Sequence, residues 1–491
     1  MQQHAASSPQ SAFRLAKALG VFAILASAVS QEYGVGINFV LVSSLGSYPA
    51  ITYLVPLAMF MAGIVLIPKV ALFARFSQVM PRCGSTYAWM TRSLNLPFGF
   101  IVAFIWLASV NAAIGFVAFS ISSFLAGFLV SIGLAGAWAL APAGHIAVGL
   151  IAIGLIFWLH YSGVQWYGRF VTIIFWLVIL AALLTSYYGF ATSQATFLTH
   201  AGSVLAPLPQ PPADQTPSLG AFISVVTVFL FAYGGLTAAT ALGGESRDAM
   251  RTMPRGIILG WATALVLFTL VASALFHAVP WWIVNPLVKA KHAELTTAPG
   301  LIGLVAPRAV GALLNLLVMI IAAKTIAPQM LDSSRYLFAW AQDGLLPKAF
   351  LHTARSKAPD VALVVTAALA VLFLFEATFL GWQIGVTFRA IGLVLVFMAV
   401  GVGALNVFYN KLYDEQEWVQ RLRVHRDVPI FAGLAIVIGL VLLGSVVRAP
   451  GVAFWFQPSV QAVVAAIAGA VIFASARGRS VAGPPLPAPV E

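Results

Sequence analysis

The chain has 491 residues, of which 61% are hydrophobic and 8% are charged. A soluble protein of this length could not cover so much apolar surface, so the composition excludes a soluble globular protein and predicts an integral membrane protein surrounded by a lipid bilayer. The formal net charge of +12 does not indicate a nucleic-acid partner, because the basic residues lie in short loops between apolar segments, where Lys and Arg set membrane topology.

Twelve apolar segments long enough for a membrane helix follow one another along the chain. We predict a cytoplasmic tail at 1–15 and a disordered cytoplasmic tail at 476–491, with no soluble domain between them that is long enough to carry chemistry. The predicted spans, numbered 1 to 12 in chain order, are 16–45 (interrupted), 50–73, 98–128, 142–160, 168–190, 218–242, 256–279, 301–328, 360–378, 381–409, 429–447 and 458–475.

The distribution of basic residues predicts the orientation of the chain. If the N-terminus is inside, the predicted cytoplasmic segments hold most of the Lys and Arg, including Lys69 at the end of span 2 and Lys324 within span 8. This bias predicts that both termini are cytoplasmic, and the short tails favour a bacterial inner membrane. The single cysteine, Cys83, excludes an internal disulfide. The Lys and Arg residues outside these segments are Lys289, Lys291, Arg308, Arg389 and Arg448.

Span 1 contains the polar stretch SQEYGVGINFV at residues 30–40. A continuous helix from Ala16 to Leu45 would be about 45 Å long, whereas the hydrocarbon core is about 30 Å thick. Gly34 and Gly36 provide a place for the helix to break, because glycine accepts conformations that other residues resist. Unwound backbone at membrane depth survives only where protein or water surrounds it, so its free N–H and C=O groups form a polar site.

Span 6 repeats this feature in the stretch VFLFAYGGLTAATALGGES, where Gly234 and Gly235 follow an aromatic run. Two interrupted helices in matching positions of two five-helix halves, 16–190 and 218–409, indicate a transporter site at an inverted-repeat interface. The last two spans, at 429–475, follow these halves. Half-helix N-termini favour an anionic group, and their carbonyl-rich C-terminal ends favour a cation or an amine. The alternative is that these glycines serve close helix packing.

Four motifs carry a family resemblance. They are GVGIN (34–38), ARFSQVMPRCGSTYAWMTRSL (74–94), FAYGGLTAATALGGESRDAMRTMPRGI (231–257) and SSRYLFAWAQDGLLPKAF (333–350). Together they resemble the amino acid–polyamine–organocation transporter family. Asn38 departs from the usual phenylalanine of the first motif, and Ser85 replaces the second glycine of the next. The resemblance implies a leucine-transporter-like all-α fold of two inverted five-helix repeats plus two C-terminal helices.

The resemblance also implies secondary transport of amino acids or related amines by alternating access. In the family, the carboxylate and ammonium groups of the substrate meet the unwound backbone of spans 1 and 6. The residues that this implies for substrate binding are Gly34, Val35, Gly36, Ile37, Phe231, Ala232, Tyr233, Gly234 and Gly235.

An ionisable side chain within a span costs a few kcal/mol or more, so each one is a functional candidate. Glu32 lies two residues before the unwound glycines. It is a candidate proton carrier or a direct ligand for a substrate ammonium, and the alternative is a helix-end carboxylate that faces water in the vestibule.

Lys324 and Thr325 are the candidate coupling residues of span 8, together with Glu32. The resemblance places them near the position where sodium-coupled relatives of this fold carry a Ser/Thr pair for sodium. An ammonium group there would occupy the cation site, which predicts sodium-independent transport, either proton-coupled or by exchange. A contact between Glu32 and Lys324 is one expectation, and an ion pair that breaks and reforms could exchange protons. The alternative is that Lys324 snorkels toward the cytoplasm.

Other polar residues have structural interpretations. We expect Arg389 in span 10 to pair with Glu376, in preference to lining the outer vestibule as a carboxylate attractor. Asp332 and Asp343, with Arg335, are expected to fasten a cytoplasmic loop. We expect His160, at the end of span 4, to be an interfacial residue and not a proton relay.

The sequence lacks a phosphate-binding loop, an H-E-x-x-H motif and paired cysteines, so we predict no cofactor, no metal and no enzymatic activity. The expected partners are a small-molecule amino acid or amine, and protons or a counter-substrate. The alternatives are a nutrient sensor, which would normally add a long soluble tail, and a membrane-embedded enzyme, which should place reactive side chains near one membrane face. Neither the particular substrate nor the oligomeric state can be read from the sequence.

Overall fold

The computed structural model describes residues 19–81, 84–202, 208–289, 292–445 and 452–477. The predicted tail at 1–15, Cys83 and the part of the predicted tail beyond residue 477 lie outside the described residues. Within these ranges the chain is built from helices, together with one isolated β-bridge between Leu19 and Ser246.

Ten helices in the described part of the chain are long and apolar enough to cross a membrane, and they correspond to the predicted spans 2–5 and 7–12. Their bounds are Pro49–Val79, Leu96–Ser131, Pro142–Tyr161, Gln165–Ala191, Ala249–Ala278, Arg308–Gln342, Asp360–Phe379, Trp382–Tyr409, Val428–Ser445 and Pro458–Ala476.

Spans 1 and 6 are each divided into two short helices. Helix 1a is Val21–Glu32 and helix 1b is Gly36–Ser47. Helix 6a is Leu219–Phe229 and helix 6b is Gly235–Ala241. With the ten long helices, these two broken spans confirm the predicted all-α membrane fold of twelve spans. We call the side of the bundle where helix 1a begins the near face, and the side where helix 1b ends the far face.

Span 8 differs most from its predicted bounds. The sequence predicts 301–328, whereas the structure has a short helix, Ala298–Gly303, followed by a continuous helix, Arg308–Gln342. Hydropathy could not place the start of the span, because the apolar run continues through the turn between these two helices. The correction places Lys324 near the middle of a helix of 35 residues.

The inner spans of the bundle can be distinguished by their burial. In span 3, 83% of the most apolar window is buried, compared with 67% in span 10 and 61% in span 8. The corresponding value is 33% in spans 4 and 9 and 28% in spans 11 and 12, so these helices present most of their surface to lipid. Spans 3, 8 and 10 are therefore the most enclosed of the ten long helices.

Candidate substrate and coupling site

The break in span 1 is held by side chains. Helix 1a ends at Glu32, and Tyr33 adopts an extended conformation with φ −81° and ψ 96°. The freed Tyr33 carbonyl oxygen accepts a hydrogen bond from Lys324 Nζ at 3.1 Å, and the Gly34 carbonyl oxygen accepts one from Asn38 Nδ2 at 2.9 Å. Both acceptors are therefore satisfied at a depth where water cannot reach them.

The glycines of this break allow two close approaches. A Cβ atom on Gly36 would lie 2.7 Å from the Cα atom of Ala232, so the broken segments of spans 1 and 6 touch directly. A Cβ atom on Gly34 would overlap the hydroxyl of Thr325, which itself donates to the Ile321 carbonyl oxygen at 3.0 Å. Only glycine fits at both positions, so these glycines serve the close packing that was the alternative interpretation as well as the break in the helix.

The break in span 6 is closed by its own backbone. After helix 6a ends, the N–H groups of Ala232, Tyr233 and Gly234 each donate to the carbonyl three residues earlier, at 3.0, 3.1 and 3.3 Å. Such tight turns satisfy these three N–H groups within span 6, whereas the Leu236 N–H at the start of helix 6b faces the Glu32 carboxylate of span 1. The Tyr233 hydroxyl donates to the Met59 carbonyl oxygen at 3.2 Å and ties the break to span 2.

The predicted substrate residues of the two breaks lie together in the structure. The side chains of the apolar and aromatic members of this set are buried. Their role in binding substrate stays a prediction. The members that are buried are Val35, Ile37, Phe231, Ala232 and Tyr233.

Glu32 is 1% exposed, and its carboxylate faces the backbone N–H of Leu236 at the start of helix 6b, although neither oxygen makes a hydrogen bond of standard geometry among the described residues. The expected ion pair with Lys324 does not form, because the Lys324 ammonium is directed to the Tyr33 carbonyl instead. The basic residue whose field acts most strongly on Glu32 is Lys69. The vestibule interpretation of Glu32 is therefore wrong for this conformation, since the carboxylate is enclosed by protein.

Lys69 is the coupling candidate that the sequence analysis missed. It was expected to set topology from the cytoplasm, but it is 1% exposed and its Nζ atom has no hydrogen-bond partner in the described part of the chain. Its ammonium lies 5.1 Å from the ring centroid of Phe73, one helical turn further along span 2. The available signal was the position of Lys69 inside the predicted apolar span 50–73.

Lys324 does not snorkel, because it is 0% exposed near the middle of span 8. Pro328 lies four residues after Lys324 and has no N–H group to donate to the Lys324 carbonyl oxygen. The helix therefore lacks one backbone hydrogen bond at this point. His160 of span 4 contacts the adjacent Ala327 carbonyl oxygen at 2.7 Å through Nε2. His160 is only 5% exposed, so its interfacial interpretation is also wrong.

Arg389 does not pair with Glu376, which instead accepts a hydrogen bond from Gln461 at 2.6 Å. The guanidinium carbon of Arg389 lies 3.7 Å from the ring centroid of Trp106, and the Trp106 Nε1 donates to Asp332 Oδ2 at 2.9 Å. Asp332 thus belongs to the interior, which corrects its assignment to a cytoplasmic loop. The sequence could not reveal this arrangement, because it depends on the rotation of three helices about their axes.

Asp343 fits its expected role more closely. It accepts a hydrogen bond from the Tyr87 hydroxyl at 2.5 Å, which joins the end of span 8 to the helix before span 3. At the same face, the Arg247 N–H donates to the Leu19 carbonyl oxygen at 2.8 Å. These contacts tie together the loops at the near face of the bundle.

Four aromatic rings cover the breaks on the far side. Phe39 lies 5.2 Å from Trp382 and 5.8 Å from Phe116, between ring centroids. Phe116 lies 5.4 Å from Phe231 and stacks on Trp382 at 5.7 Å. We call Phe39, Phe116, Phe231 and Trp382 the aromatic lid. A cleft of about 10 Å³ lies beside Trp382, between helix 1b and span 10, which is room for about one water molecule.

Comparison with known proteins identifies the family. The sequence model of the amino acid permease family matches residues 24–475. A branched-chain amino acid permease of Lactococcus lactis is 26% identical over 407 residues, which cover 78% of this chain and 79% of that protein. A methylthioribose transporter of Bacillus subtilis is 26% identical over 354 residues, 68% of this chain and 69% of that protein.

A shorter match links the chain to a D-serine/D-alanine/glycine transporter of Escherichia coli K12, which is 26% identical over 145 residues, 30% of this chain and 29% of that protein. The family match extends across all twelve spans, from helix 1a to the last helix. The fold, the paired breaks and these similarities agree that the chain is a multi-pass membrane transporter and belongs to the amino acid permease family.

Proposed function

We propose that this protein moves amino acids or related amines across the cytoplasmic membrane of a bacterium by alternating access, independently of sodium and with both termini in the cytoplasm. The observation that carries the proposal is the hydrogen bond from Lys324 Nζ to the Tyr33 carbonyl oxygen. It places a tethered ammonium group between span 8 and the break of span 1.

An ammonium group in that position acts as a permanent substitute for a bound cation. Lysine offers three N–H donors and no acceptor, so it meets carbonyl oxygens as a cation would. A sodium ion would have to displace the side chain, and Lys324 has no route to water because it is fully enclosed. Sodium is therefore not the coupling ion in this proposal.

The substrate is proposed to bind where the two breaks touch, at Gly36 and Ala232. Unwound backbone at this depth offers both N–H and C=O groups, which suit the carboxylate and the ammonium group of an amino acid. Two of the three relatives are named as transporters of amino acids, which supports this class. The third is named as a methylthioribose transporter. The uptake test can therefore also identify a substrate that is not an amino acid.

Coupling is proposed to rest on Glu32, assisted by Lys69 and Lys324. Glu32 ends helix 1a, and its buried carboxylate faces the Leu236 N–H of helix 6b. Movement of helix 1a would carry its carboxylate toward or away from the Lys69 side chain in span 2. Such a change in electrostatic environment allows a carboxyl group to take up and release a proton. Exchange against a counter-substrate is the second mode, in which these charges would only lock the site.

Alternating access is proposed to involve the two five-helix halves, 16–190 and 218–409. The aromatic lid closes the far side, and the near-face contacts of Leu19 with Arg247 and of Tyr87 with Asp343 close the other. Opening one set while the other stays closed would expose the breaks to each side in turn.

The test is uptake by the purified protein in liposomes. Labelled amino acids and polyamines would be supplied with an imposed pH gradient, and again with only unlabelled substrate inside. We expect accumulation driven by the pH gradient and its loss in the Glu32→Gln variant. Uptake that needs only an internal counter-substrate would establish exchange. If no amino acid or amine were transported, the proposed function would be wrong, and if Glu32→Gln and Lys324→Ala both kept uphill, pH-dependent uptake, the coupling residues would be wrong.

A further inference from the structure

Spans 3, 8 and 10 enclose a group of buried polar atoms without hydrogen-bond partners. Buried polar atoms are nearly always paired in native proteins, so several exceptions on neighbouring spans identify a candidate binding site for a polar group. We call the four side chains that carry them the polar chamber. Among the described residues, the unpaired atoms are Arg389 Nη1 and Nη2, Asp332 Oδ1, Asn111 Oδ1 and Gln329 Oε1, and each of these side chains is at most 3% exposed.

The polar chamber adjoins the break of span 6. A Cβ atom on Gly234 would lie 3.4 Å from Arg389 Nη2 and 3.6 Å from its Nε. Glycine at this position leaves the guanidinium group facing backbone instead of a side chain. A substrate whose main-chain groups bind at the breaks, as proposed above, would therefore direct its side chain toward Arg389.

Trp106 fixes the two charged members of the chamber. Its ring lies against the guanidinium group of Arg389 at 3.7 Å, and its Nε1 holds Asp332 Oδ2 at 2.9 Å. In the described part of the chain no ion pair within 4.0 Å joins Arg389 to Asp332, although each acts on the other electrostatically. The pair therefore presents free donors on one side and a free acceptor on the other.

Asn111 lies on span 3, five residues after Trp106, and contacts Ser333, the residue that follows Asp332. Its Nδ2 is already used, because it donates to the Leu107 carbonyl at 2.8 Å and to Ser333 Oγ at 2.9 Å. Its Oδ1 is left free. The chamber thus combines one cationic group that needs acceptors with several oxygens that need donors.

We propose that the polar chamber binds a substrate side chain that ends in a neutral group with both an acceptor and a donor, namely a carboxamide as in asparagine or glutamine. The carboxamide oxygen accepts from Arg389 Nη1 or Nη2, and its NH₂ group donates to Asp332 Oδ1. This inference rests on the proposed function, because it names the substrate class of the same site.

Other side chains complement the chamber less well. A carboxylate would accept from Arg389 but would lie against the carboxylate of Asp332. An ammonium group would donate to Asp332 but would lie against the guanidinium group of Arg389. An aliphatic side chain would leave every polar atom of the chamber buried and unpaired. A site built to hydrogen-bond its substrate rejects analogues that lack the matching group, by factors that begin at about tenfold and reach much higher values.

The experiment uses the isosteric set asparagine, aspartate and leucine, and the longer set glutamine, glutamate and methionine, as competitors and as labelled substrates for the protein in liposomes. We expect asparagine or glutamine to be preferred at least about tenfold over both members of its own set. Preference for the acid or the aliphatic member of both sets would overturn the inference while leaving the proposed function in place. Failure to transport any amino acid would instead contradict the proposed function itself.

Two variants test the roles of the charges. Asp332→Asn removes the repelling carboxylate and should move the preference toward aspartate or glutamate, whereas Arg389→Gln should move it toward a cationic side chain such as that of 2,4-diaminobutyrate. Arg308→Gln is the matched control, since Arg308 lies at the start of span 8 and donates to the Ser131 carbonyl. An equal loss for every substrate would assign Arg389 and Asp332 a purely structural role and contradict the inference. If neither variant folds, the preference of the unmodified protein decides the question.

Discussion

In the break of span 1 the Tyr33 carbonyl oxygen accepts a hydrogen bond from a side chain of another span, and the Gly34 carbonyl oxygen accepts from both the backbone and the side chain of Asn38. In the break of span 6 three successive N–H groups bond to the backbone of the same span. Lys324 of span 8 and Asn38 of helix 1b provide the donors in span 1. The turn that follows helix 6a needs no such donors, because each of its N–H groups reaches the carbonyl three residues earlier.

This difference indicates that the two breaks have different tasks. A segment that depends on a partner can be released when that partner moves, so span 1 is suited to coupling. A segment that is satisfied locally keeps its shape, so span 6 is suited to presenting a fixed surface to the substrate. Four substitutions break or sharpen this comparison.

The largest effect is expected from Lys324→Ala. This change leaves the buried Tyr33 carbonyl without a donor, which costs about 1–3 kcal/mol, and removes the charge held in the cation site. We expect uphill uptake in liposomes to fall about 100-fold. Lys348→Ala, in the exposed turn after span 8, is the control and should keep full activity. Uphill uptake that survives Lys324→Ala would show that the break of span 1 does not depend on this side chain.

Gly36→Ala is expected to have the next largest effect. The added methyl group would lie 2.7 Å from the backbone of Ala232, so one of the two breaks must shift. We expect a lower melting temperature and a loss of most uptake. Gly154→Ala in span 4 is the matched control, because nothing lies within 4 Å of the new methyl group. It should be neutral or slightly stabilising, since alanine favours a helix by about 1 kcal/mol over glycine. Equal behaviour of the two variants would argue against direct contact between the breaks.

A moderate effect is expected from Asn38→Ala, which removes the side-chain donor to the Gly34 carbonyl. One hydrogen bond contributes about 1 kcal/mol to stability, which corresponds to roughly a fivefold change in an equilibrium constant. The initial rate of uptake should fall by about that factor, with the substrate preference unchanged. A changed preference would mean that Asn38 contacts the substrate, and not only the backbone of span 1.

The smallest effect is expected from Tyr233→Phe, which removes the hydroxyl that bonds to the Met59 carbonyl. The break of span 6 keeps its own backbone hydrogen bonds, so uptake should change less than about threefold, below the effect of Asn38→Ala. A larger loss than that of Asn38→Ala would reverse the comparison, because span 6 would then depend on a partner more than span 1 does.

The positions of the breaks could be predicted from the sequence, whereas their partners could not. Gly34, Gly36, Gly234 and Gly235 lie in matching positions of the first and sixth apolar segments, and both spans are broken there. The partner of Lys324 is a backbone oxygen, and a motif contains no information about which carbonyl is free. Which helices face each other was predictable from the family resemblance, but not the rotation of each helix.

Charged residues show the same division. Lys69 was missed because a topology count treats every lysine near a span end as a loop residue, although burial and not sequence position decides its role. Arg389 was assigned to Glu376 because the two lie near adjacent span ends in sequence. The structure turns Arg389 inward onto Trp106, where stacking compensates part of the cost of burying its charge.

The central claim is that Lys324 occupies the place of a transported cation, and sodium replacement tests it most directly. The substrate that is taken up best would be supplied to the unmodified protein in liposomes under a fixed pH gradient, first with an inward sodium gradient and then with choline in place of sodium. The account predicts the same accumulation in both conditions. Accumulation that requires sodium would contradict it, because the ion would then need the site that the Lys324 ammonium fills.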